Sequence, residues 1–370
     1  MVRRIIRAGG DALAKRRRKL IDLALQGGGS HGALTWGVLD RLLEEERLEI
    51  DGVSGTSAGA MNAVVLADGL ERGGRDGARE ALGIFWRAVS RAAAFSPFKR
   101  TPLDWLTGNY GLDRSPGYLL FEQMTQMVPP SVLNPLGINP LRDLVTRQVD
   151  FERVNNCSKT KVYVTATNVR TGRPHIFRQP GLSVDTVMAS ACLPFMYEAV
   201  TIDGEPYWDG GYTGNPALYP LVEDQGCRDL VVVQINPLVR ETLPLGGRDI
   251  LNRINEITFN SSLIKELRSI HLLQQLIEAE GLDLESYRAM RLHLIHAERE
   301  VESLGASSKL NAEWPFLERL FHKGRAWADD WLDRHFDDIG KRATFDLDEV
   351  FKDSFQPVRH SPDGGSAGSA

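Results

Sequence analysis

The stretch Val53-Ser54-Gly55-Thr56-Ser57-Ala58-Gly59-Ala60 decides the fold of this chain. It follows a short apolar run, residues 48–53, and precedes a run rich in Ala, Met and Val, so the pattern predicts a strand, a sharp turn and a helix. Gly55 and Gly59 lack a Cβ, which lets the strand and the helix approach closely around Ser57. Gly-x-Ser-x-Gly in this setting is the pattern of a nucleophile elbow, so we predict that Ser57 is a nucleophile.

A glycine-rich loop lies upstream of the elbow. Residues 20–26 are an apolar strand candidate, and Gly27-Gly28-Gly29-Ser30-His31-Gly32 follows them directly before an amphipathic helix. Uncovered N–H groups of successive glycines, beside the positive end of a helix dipole, suit a developing oxyanion. The order strand, glycine loop, helix, strand, elbow, helix predicts an α/β fold with a mostly parallel sheet.

The same loop admits a second interpretation. The pattern Gly27-x-Gly29-x-x-Gly32 after a strand also fits the dinucleotide-binding fingerprint, and Asp51 stands near the position of the ribose-binding acid. The second strand, however, runs directly into the elbow, which a nucleotide site does not need. A dinucleotide-binding protein that uses residues 27–32 therefore stays open as the less favoured alternative.

The chain after the elbow predicts further elements of the same sheet. The patterns indicate helices over about 57–67 and 75–91, a strand over 161–168 that returns over 175–177, a helix over 183–191, a hairpin around Asp203-Gly204 and a buried strand over 229–235. Later segments predict a helix over 250–281, a strand over 291–296 and a helix over 315–334.

Composition shifts divide the chain into regions. We predict a basic N-terminal arm (1–19), a catalytic domain (20–236), a mainly helical C-terminal region (237–355) and a disordered tail (356–370). Residues 94–140 are rich in Pro, aromatic residues and Leu, which indicates an apolar insertion in the catalytic domain. This insertion fits a lid or acyl-chain groove and fits plain packing equally well.

Charge and cysteine content narrow the class of protein. The net charge of −5 gives no general signal for nucleic acid, but residues 1–20 hold eight Lys or Arg against one Asp, which suits contact with an anionic membrane. The three cysteines are far apart, which argues against a disulfide framework or a zinc site. We expect a cytoplasmic protein, peripheral to a membrane at most, with no metal or cofactor; the oligomeric state is left open.

Several motifs in order resemble the patatin-like phospholipase family. The loop at 27–32 is similar to its oxyanion loop, Gly55-Thr56-Ser57-Ala58-Gly59 to its elbow, and Asp209-Gly210-Gly211 to its Asp-Gly box; residues 189–194 resemble a further family segment. The resemblance covers about residues 20–236. It implies a three-layer α/β/α fold and a serine acyl hydrolase that cleaves lipid carboxyl esters, of the phospholipase A or lysophospholipase type.

The resemblance also implies residue roles. Ser57 would be the nucleophile and Asp209 the base of a dyad without histidine, while Gly28 and Gly29 would donate N–H groups to the oxyanion. Desolvation could raise the pKa of Asp209 and make it a better base. His31 departs from the pattern, because the family usually has Arg or Lys there; a charged His31 would restore a positive field at low pH, and a contact with Ser57 would make it a base instead.

One other enzyme class stays open. An ordinary α/β-hydrolase would use Ser57 and Asp209 with a late histidine, His293 or His296, in an allowed chain order. It is less favoured because Ser57 follows only the second strand candidate. The lipid head group, the acyl position and the chain length are not predicted by any motif, so phospholipase, lipase and polyester depolymerase remain alternatives.

Overall fold

The computed structural model describes residues 18–224, 226–238, 240, 243–280, 290–296 and 304–351. The strands are β1 (Lys19–Leu25), β2 (Leu48–Thr56), β3 (Lys161–Asn168), β4 (Pro174–Arg178), β5 (Val200–Ile202), β6 (Glu205–Asp209), β7 (Asp229–Val233) and β8 (Arg291–Ile295). The helices are α1 (Gly32–Glu44), α2 (Ala58–Ala92), α3 (Pro102–Thr107), α4 (Pro116–Met127), α5 (Pro130–Leu133), α6 (Pro140–Gln148), α7 (Phe151–Asn155), α8 (Val184–Ser190), α9 (Tyr219–Asp224), α10 (Gly247–Glu280), α11 (Trp314–His335) and α12 (Leu347–Phe351).

The described strands form one sheet that is parallel at its centre. Its order is β5-β6-β3-β2-β1-β7-β8, and β4 pairs with β3 off this path. The pairs β3–β2, β2–β1, β1–β7 and β7–β8 are parallel, whereas β4 and β6 run antiparallel to β3. The mostly parallel sheet predicted from the sequence is therefore confirmed.

Alternating side chains along the central strands bury both faces of the sheet. On β1, Leu23 and Leu25 belong to the core under α1, α2 and α11, whereas Ala24 belongs to a second core under α9, α10 and α12. The same alternation recurs on β7. Helices thus cover both faces of the sheet, and the three-layer α/β/α architecture is confirmed.

Most predicted elements are present, and one helix differs from its prediction. The two helices expected over 57–67 and 75–91 form one helical segment, α2, in which only Gly73 and Gly74 leave helical geometry. Gly74 has a φ of 66°, which glycine adopts without strain. The pair therefore makes a kink rather than a loop, and the first helix runs further than its sequence pattern indicated.

The insertion at 94–140 consists of short helices with exposed apolar side chains. Leu106 on α3 and Met127 on α4 are each 85% exposed, and Leu136 is 81% exposed. This agrees with the apolar character read from the sequence, while the lid remains a prediction. The basic arm, apart from residues 18 and 19, and the tail at 356–370 lie outside the described residues.

The C-terminal region packs directly on the sheet and on α1. Strand β8 extends the sheet beyond β7, and α11 lies so close to α1 that a Cβ on Gly37 would come 2.0 Å from the Phe321 carbonyl oxygen. A Cβ on Gly324 would come 1.9 Å from the Leu34 oxygen. Glycine at both positions permits this contact, which holds α11 and the turn before it against the glycine loop.

Candidate active site

The elbow holds Ser57 in a strained backbone conformation. Ser57 lies between β2 and α2 with a φ of 55° and a ψ of −119°, a region that non-glycine residues rarely occupy. A Cβ on Gly59 would lie 2.2 Å from the Leu25 carbonyl oxygen, and one on Gly55 would lie 2.5 Å from the Gly59 oxygen. The two glycines therefore allow the close approach of strand and helix that the motif predicted.

Strand β3 brings Asp209 to the elbow. Thr165 of β3 pairs with Thr56 at the end of β2, and the next residue, Ala166, pairs with Asp209 at the end of β6. Ser57 follows Thr56 and Asp209 lies opposite Ala166, so these two residues meet at one edge of the sheet. The Ser57 hydroxyl lies close enough to the Asp209 carboxylate to lower the pKa of Asp209 as a hydrogen-bonding group.

The Asp209 carboxylate is buried and has few donors. It is 1% exposed, and its Oδ1 accepts the backbone N–H of Gly211 at 2.7 Å. Burial raises the pKa of Asp209 to about 6, although the Gly211 N–H, the Ser57 hydroxyl and the charge of Lys309 lower it. Such a carboxylate is ionised near neutral pH and is a stronger base than an exposed one.

The glycine loop also lies beside Ser57. A Cβ on Gly27 would come 2.8 Å from the Ser57 Cβ, and the Gly27 N–H donates to Asn215 Oδ1 at 2.7 Å. Gly29 has a φ of 57° and lies against the carbonyl oxygen of Lys309. Within the described part of the chain, the N–H groups of Gly28 and Gly29 have no hydrogen-bond acceptor, so they are available to a ligand.

His31 turns away from Ser57. Its ring is 2% exposed, and Nε2 is hydrogen-bonded to Ser308 Oγ at 2.8 Å. Burial, together with the charge of Lys309, lowers the pKa of His31 to about 3. A charged His31 that restores a positive field at low pH, and a His31 that serves as the base, are therefore both wrong.

An apolar cavity of about 200 Å³ opens beside Ser57. Its wall contains Gly29 of the glycine loop and Lys309, and otherwise mainly apolar side chains: Met61, Phe85, Trp86, Val89, Leu141, Leu193, Met196 and Leu310. An apolar wall with a few polar groups at one end fits an acyl ester whose carbonyl lies at the serine. We call this space the serine pocket.

A larger cavity of about 740 Å³ lies elsewhere, between the insertion and β6. Phe195 and Trp208 contribute to its wall, but Ser57 does not. Residues 193–197 separate the two spaces, since Leu193 and Met196 face the serine pocket while Pro194 and Phe195 face the larger one. We place the chemistry in the smaller pocket, because it holds the strained serine.

The alternative sites do not assemble. Asp51 lies inside β2, five residues before the end of the strand at Thr56, and its carboxylate pairs with Lys161 at 3.3 Å, so it cannot serve as the ribose acid at the strand's carboxyl end. His293 Nε2 is 3.1 Å from Asp229 Oδ1 and its Nδ1 is 2.8 Å from Thr344 Oγ1. His293, one of the two histidines that the triad alternative named, is thus engaged away from Ser57.

Four side chains that support the site were not predicted to do so. Ser190 accepts the Ser57 N–H, Asn215 accepts the Gly27 N–H, and Asn236 donates to the Gly27 carbonyl oxygen at 2.8 Å. Lys309 lines the serine pocket from the C-terminal region. Only Ser190 falls in a segment that the sequence singled out, and no local pattern marks the other three. Among the described residues, no group of three or more His, Cys, Asp and Glu side chains is placed to hold a metal ion.

The sequence matches a known family model, and the structure aligns with solved structures. The family model described as patatin-like phospholipase matches residues 23–222. No curated protein sequence matches the chain significantly. Among solved structures, VipD from Legionella pneumophila aligns with 16% identity and a TM-score of 0.39 over 86% of this chain and 67% of that chain. ExoU, solved as a heterodimer with SpcU from the type III secretion system of Pseudomonas aeruginosa, aligns with 15% identity and a TM-score of 0.35 over 87% of this chain and 52% of that chain.

The chain thus spans about half the length of the ExoU chain that it matches. None of the described helices combines the length and the apolar character needed to cross a bilayer.

Proposed function

Because the chain belongs to the patatin-like phospholipase family, we propose that it hydrolyses carboxyl esters of phospholipids or lysophospholipids with a dyad of Ser57 and Asp209. The observation that carries this proposal is a strained Ser57 that lines an apolar pocket and whose hydroxyl lies beside a buried carboxylate. A fixed base beside a serine hydroxyl is the requirement for a nucleophilic serine.

The dyad accounts for both halves of the reaction. Asp209 takes the Ser57 proton while Oγ attacks the ester carbonyl carbon, and the N–H groups of Gly28 and Gly29 stabilise the oxyanion. When the tetrahedral intermediate collapses, the C–O bond of the ester breaks and protonated Asp209 gives its proton to the departing alcohol. Asp209 then takes a proton from a water, which attacks the acyl carbonyl carbon of the acyl-serine. The bond between that carbon and Ser57 Oγ breaks, protonated Asp209 returns its proton to Oγ, and the fatty acid leaves.

The pocket indicates which part of the lipid binds where. The apolar wall of the serine pocket takes the start of the acyl chain, with the ester carbonyl towards Gly29. The exposed apolar side chains of the insertion and Phe195, which is 66% exposed, suit contact with a membrane surface. Contact of the basic arm with anionic lipid remains a prediction, since that arm lies outside the described residues.

The test combines covalent labelling with substrate profiling. A fluorophosphonate probe should label the wild-type protein at Ser57, and labelling should be lost in Ser57→Ala. Both Ser57→Ala and Asp209→Asn should lose at least about 10³-fold in kcat on p-nitrophenyl butyrate, with unchanged circular dichroism. A mass-spectrometric panel of phospholipids, lysophospholipids, triacylglycerols and polyesters then identifies the substrate class. Wild-type rates in either variant would contradict the dyad.

A further inference from the structure

The turn formed by residues 306–310 closes the glycine loop from the C-terminal region. A Cβ on Gly29 would lie 2.5 Å from the Lys309 carbonyl oxygen and 3.5 Å from the Lys309 Cβ. Next to it, Ser308 Oγ is bonded to His31 Nε2 at 2.8 Å. Both contacts join residues that are far apart in the chain. Gly29 and His31 lie within residues 23–222, the segment that the family model matches, whereas Ser308 and Lys309 lie outside it.

The Lys309 ammonium group is tied to the same loop by a side-chain relay. Its Nζ donates to Asn236 Oδ1 at 2.8 Å, and Asn236 Nδ2 donates to the Gly27 carbonyl oxygen at 2.8 Å. The backbone N–H of Asn236 also donates to Gln26 Oε1 at 3.0 Å. The lysine therefore fixes the backbone of the loop just before the two glycines with available N–H groups.

Lys309 lies at the serine pocket among several charged groups. Lys309 forms part of the wall that also contains Ser57, and its charge acts on Asp209. Glu256 on α10 and Arg240 are the other charged groups that act on it. The pKa of Lys309 is lowered overall: burial is the largest cause and Arg240 adds to it, whereas the carboxylates of Glu256 and Asp209 act in the opposite direction.

The other titratable groups near Asp209 are neutral over the working range of pH. Burial raises the pKa of Cys192 to about 11 and that of Tyr212 to about 12, and Asp209 acts on both groups. Lys309 also acts on His31, whose pKa burial lowers to about 3. Among the described residues, Lys309 is thus the cation that acts on the Asp209 carboxylate.

We propose that Lys309 supplies the fixed positive charge of the oxyanion site, the role that the family's Arg or Lys would have at the position of His31, and that it holds the glycine loop through Asn236. This proposal rests on the proposed function. It makes the C-terminal region part of the active site: a cation near the developing oxyanion stabilises the transition state more than the neutral ester. It also makes Lys309 a positioning residue for the two N–H donors.

Neutral and charged substitutions of Lys309 separate its two contributions, the positive charge at the oxyanion site and the positioning of the glycine loop. On p-nitrophenyl butyrate, Lys309→Met should lower kcat by roughly 10²-fold with a much smaller change in KM. It should also move the acid limb of the kcat/KM profile to higher pH, because removing a nearby cation raises the pKa of Asp209. Lys309→Arg should keep the acid limb in place and recover part of kcat, and Lys341→Met, at an exposed lysine of the same region, should match wild type.

The outcomes distinguish this proposal from the dyad itself. If Ser57→Ala is inactive but folded Lys309→Met shows an unshifted acid limb, the proposal for Lys309 is wrong and the dyad stands. If Ser57→Ala retains activity, both proposals fail. Thermal melting checks folding; should Lys309→Met not fold, Lys309→Gln must shift the acid limb while Lys309→Arg leaves it in place, and an unshifted limb in Lys309→Gln overturns the proposal.

Discussion

The hydroxyl of Ser190 accepts the backbone N–H of Ser57 at 2.9 Å. Ser190 ends α8 and is fully buried, so its hydroxyl fixes the backbone of the elbow. Ser57 has a positive φ, and such a conformation persists only where the surrounding structure determines it. The bond between the two serines is one of the contacts that determine it.

Ser190→Ala should therefore lower kcat by more than its loss of folding stability explains. The substitution leaves the Ser57 N–H without its acceptor, which we expect to cost about 1–3 kcal/mol in the free energy of unfolding and to lower kcat about tenfold as the elbow relaxes. Urea denaturation and kcat on p-nitrophenyl butyrate measure the two effects.

Ser183→Ala is the matched control. Ser183 caps the start of the same helix through a bond to the Thr186 N–H, so its loss should cost about 1 kcal/mol without touching Ser57. A kcat for Ser190→Ala that equals that of Ser183→Ala would show that the contact with Ser57 has no catalytic role.

The pH dependence of kcat/KM should follow the ionisation of Asp209. The base must be deprotonated to accept the Ser57 proton, and its pKa is raised from 3.8 to about 6. Activity should therefore fall about tenfold per pH unit below about pH 6. His31, with a pKa of about 3, should add no further step between about pH 4 and 8, so His31→Gln should keep the same acid limb. A limb near pH 4 would mean that Asp209 is not desolvated in the working enzyme.

Local motifs predicted the parts of the site that are contiguous in sequence. Gly55, Ser57 and Gly59 share one turn, and its backbone demands leave a visible pattern. Asn236 and Lys309 reach the glycine loop only because β7 and the turn at 306–310 fold beside it. A single polar residue at a distant position has no periodicity or spacing, so nothing in the sequence pattern distinguished it.

The same limit explains the errors at His31 and in α2. The sequence suggested that His31 could replace a cation. Its burial against Ser308 was not visible there, because Ser308 lies in a segment far downstream. Gly73 and Gly74 looked like a helix end, because helix propensity cannot show that packing continues beyond them. In both places, a tertiary contact decided what the local sequence left undetermined.

Gly59→Ala should prevent proper folding, whereas Gly83→Ala on the same helix should not. A Cβ at position 59 would lie 2.2 Å from the Leu25 carbonyl oxygen, so β1 and α2 would have to separate, which we expect to cost more than about 3 kcal/mol. At position 83, the nearest atom would be 3.8 Å away on Trp36, and the better helix propensity of Ala should add about 0.5–1 kcal/mol. Thermal melting compares the two variants; equal melting temperatures would contradict the close approach.

Asp209→Asn should be inactive yet more stable than wild type near pH 7. Because the folded state raises the Asp209 pKa from 3.8 to about 6, the group's contribution to stability is fully present below about pH 3.8 and is lost as the pH rises through about 6. Asn is neutral at every pH and avoids that loss, so we expect a gain of about 1–3 kcal/mol in the free energy of unfolding at about pH 7. Urea denaturation should show a smaller gain at about pH 4. An equal gain at both pH values would assign the effect to packing rather than to the buried charge.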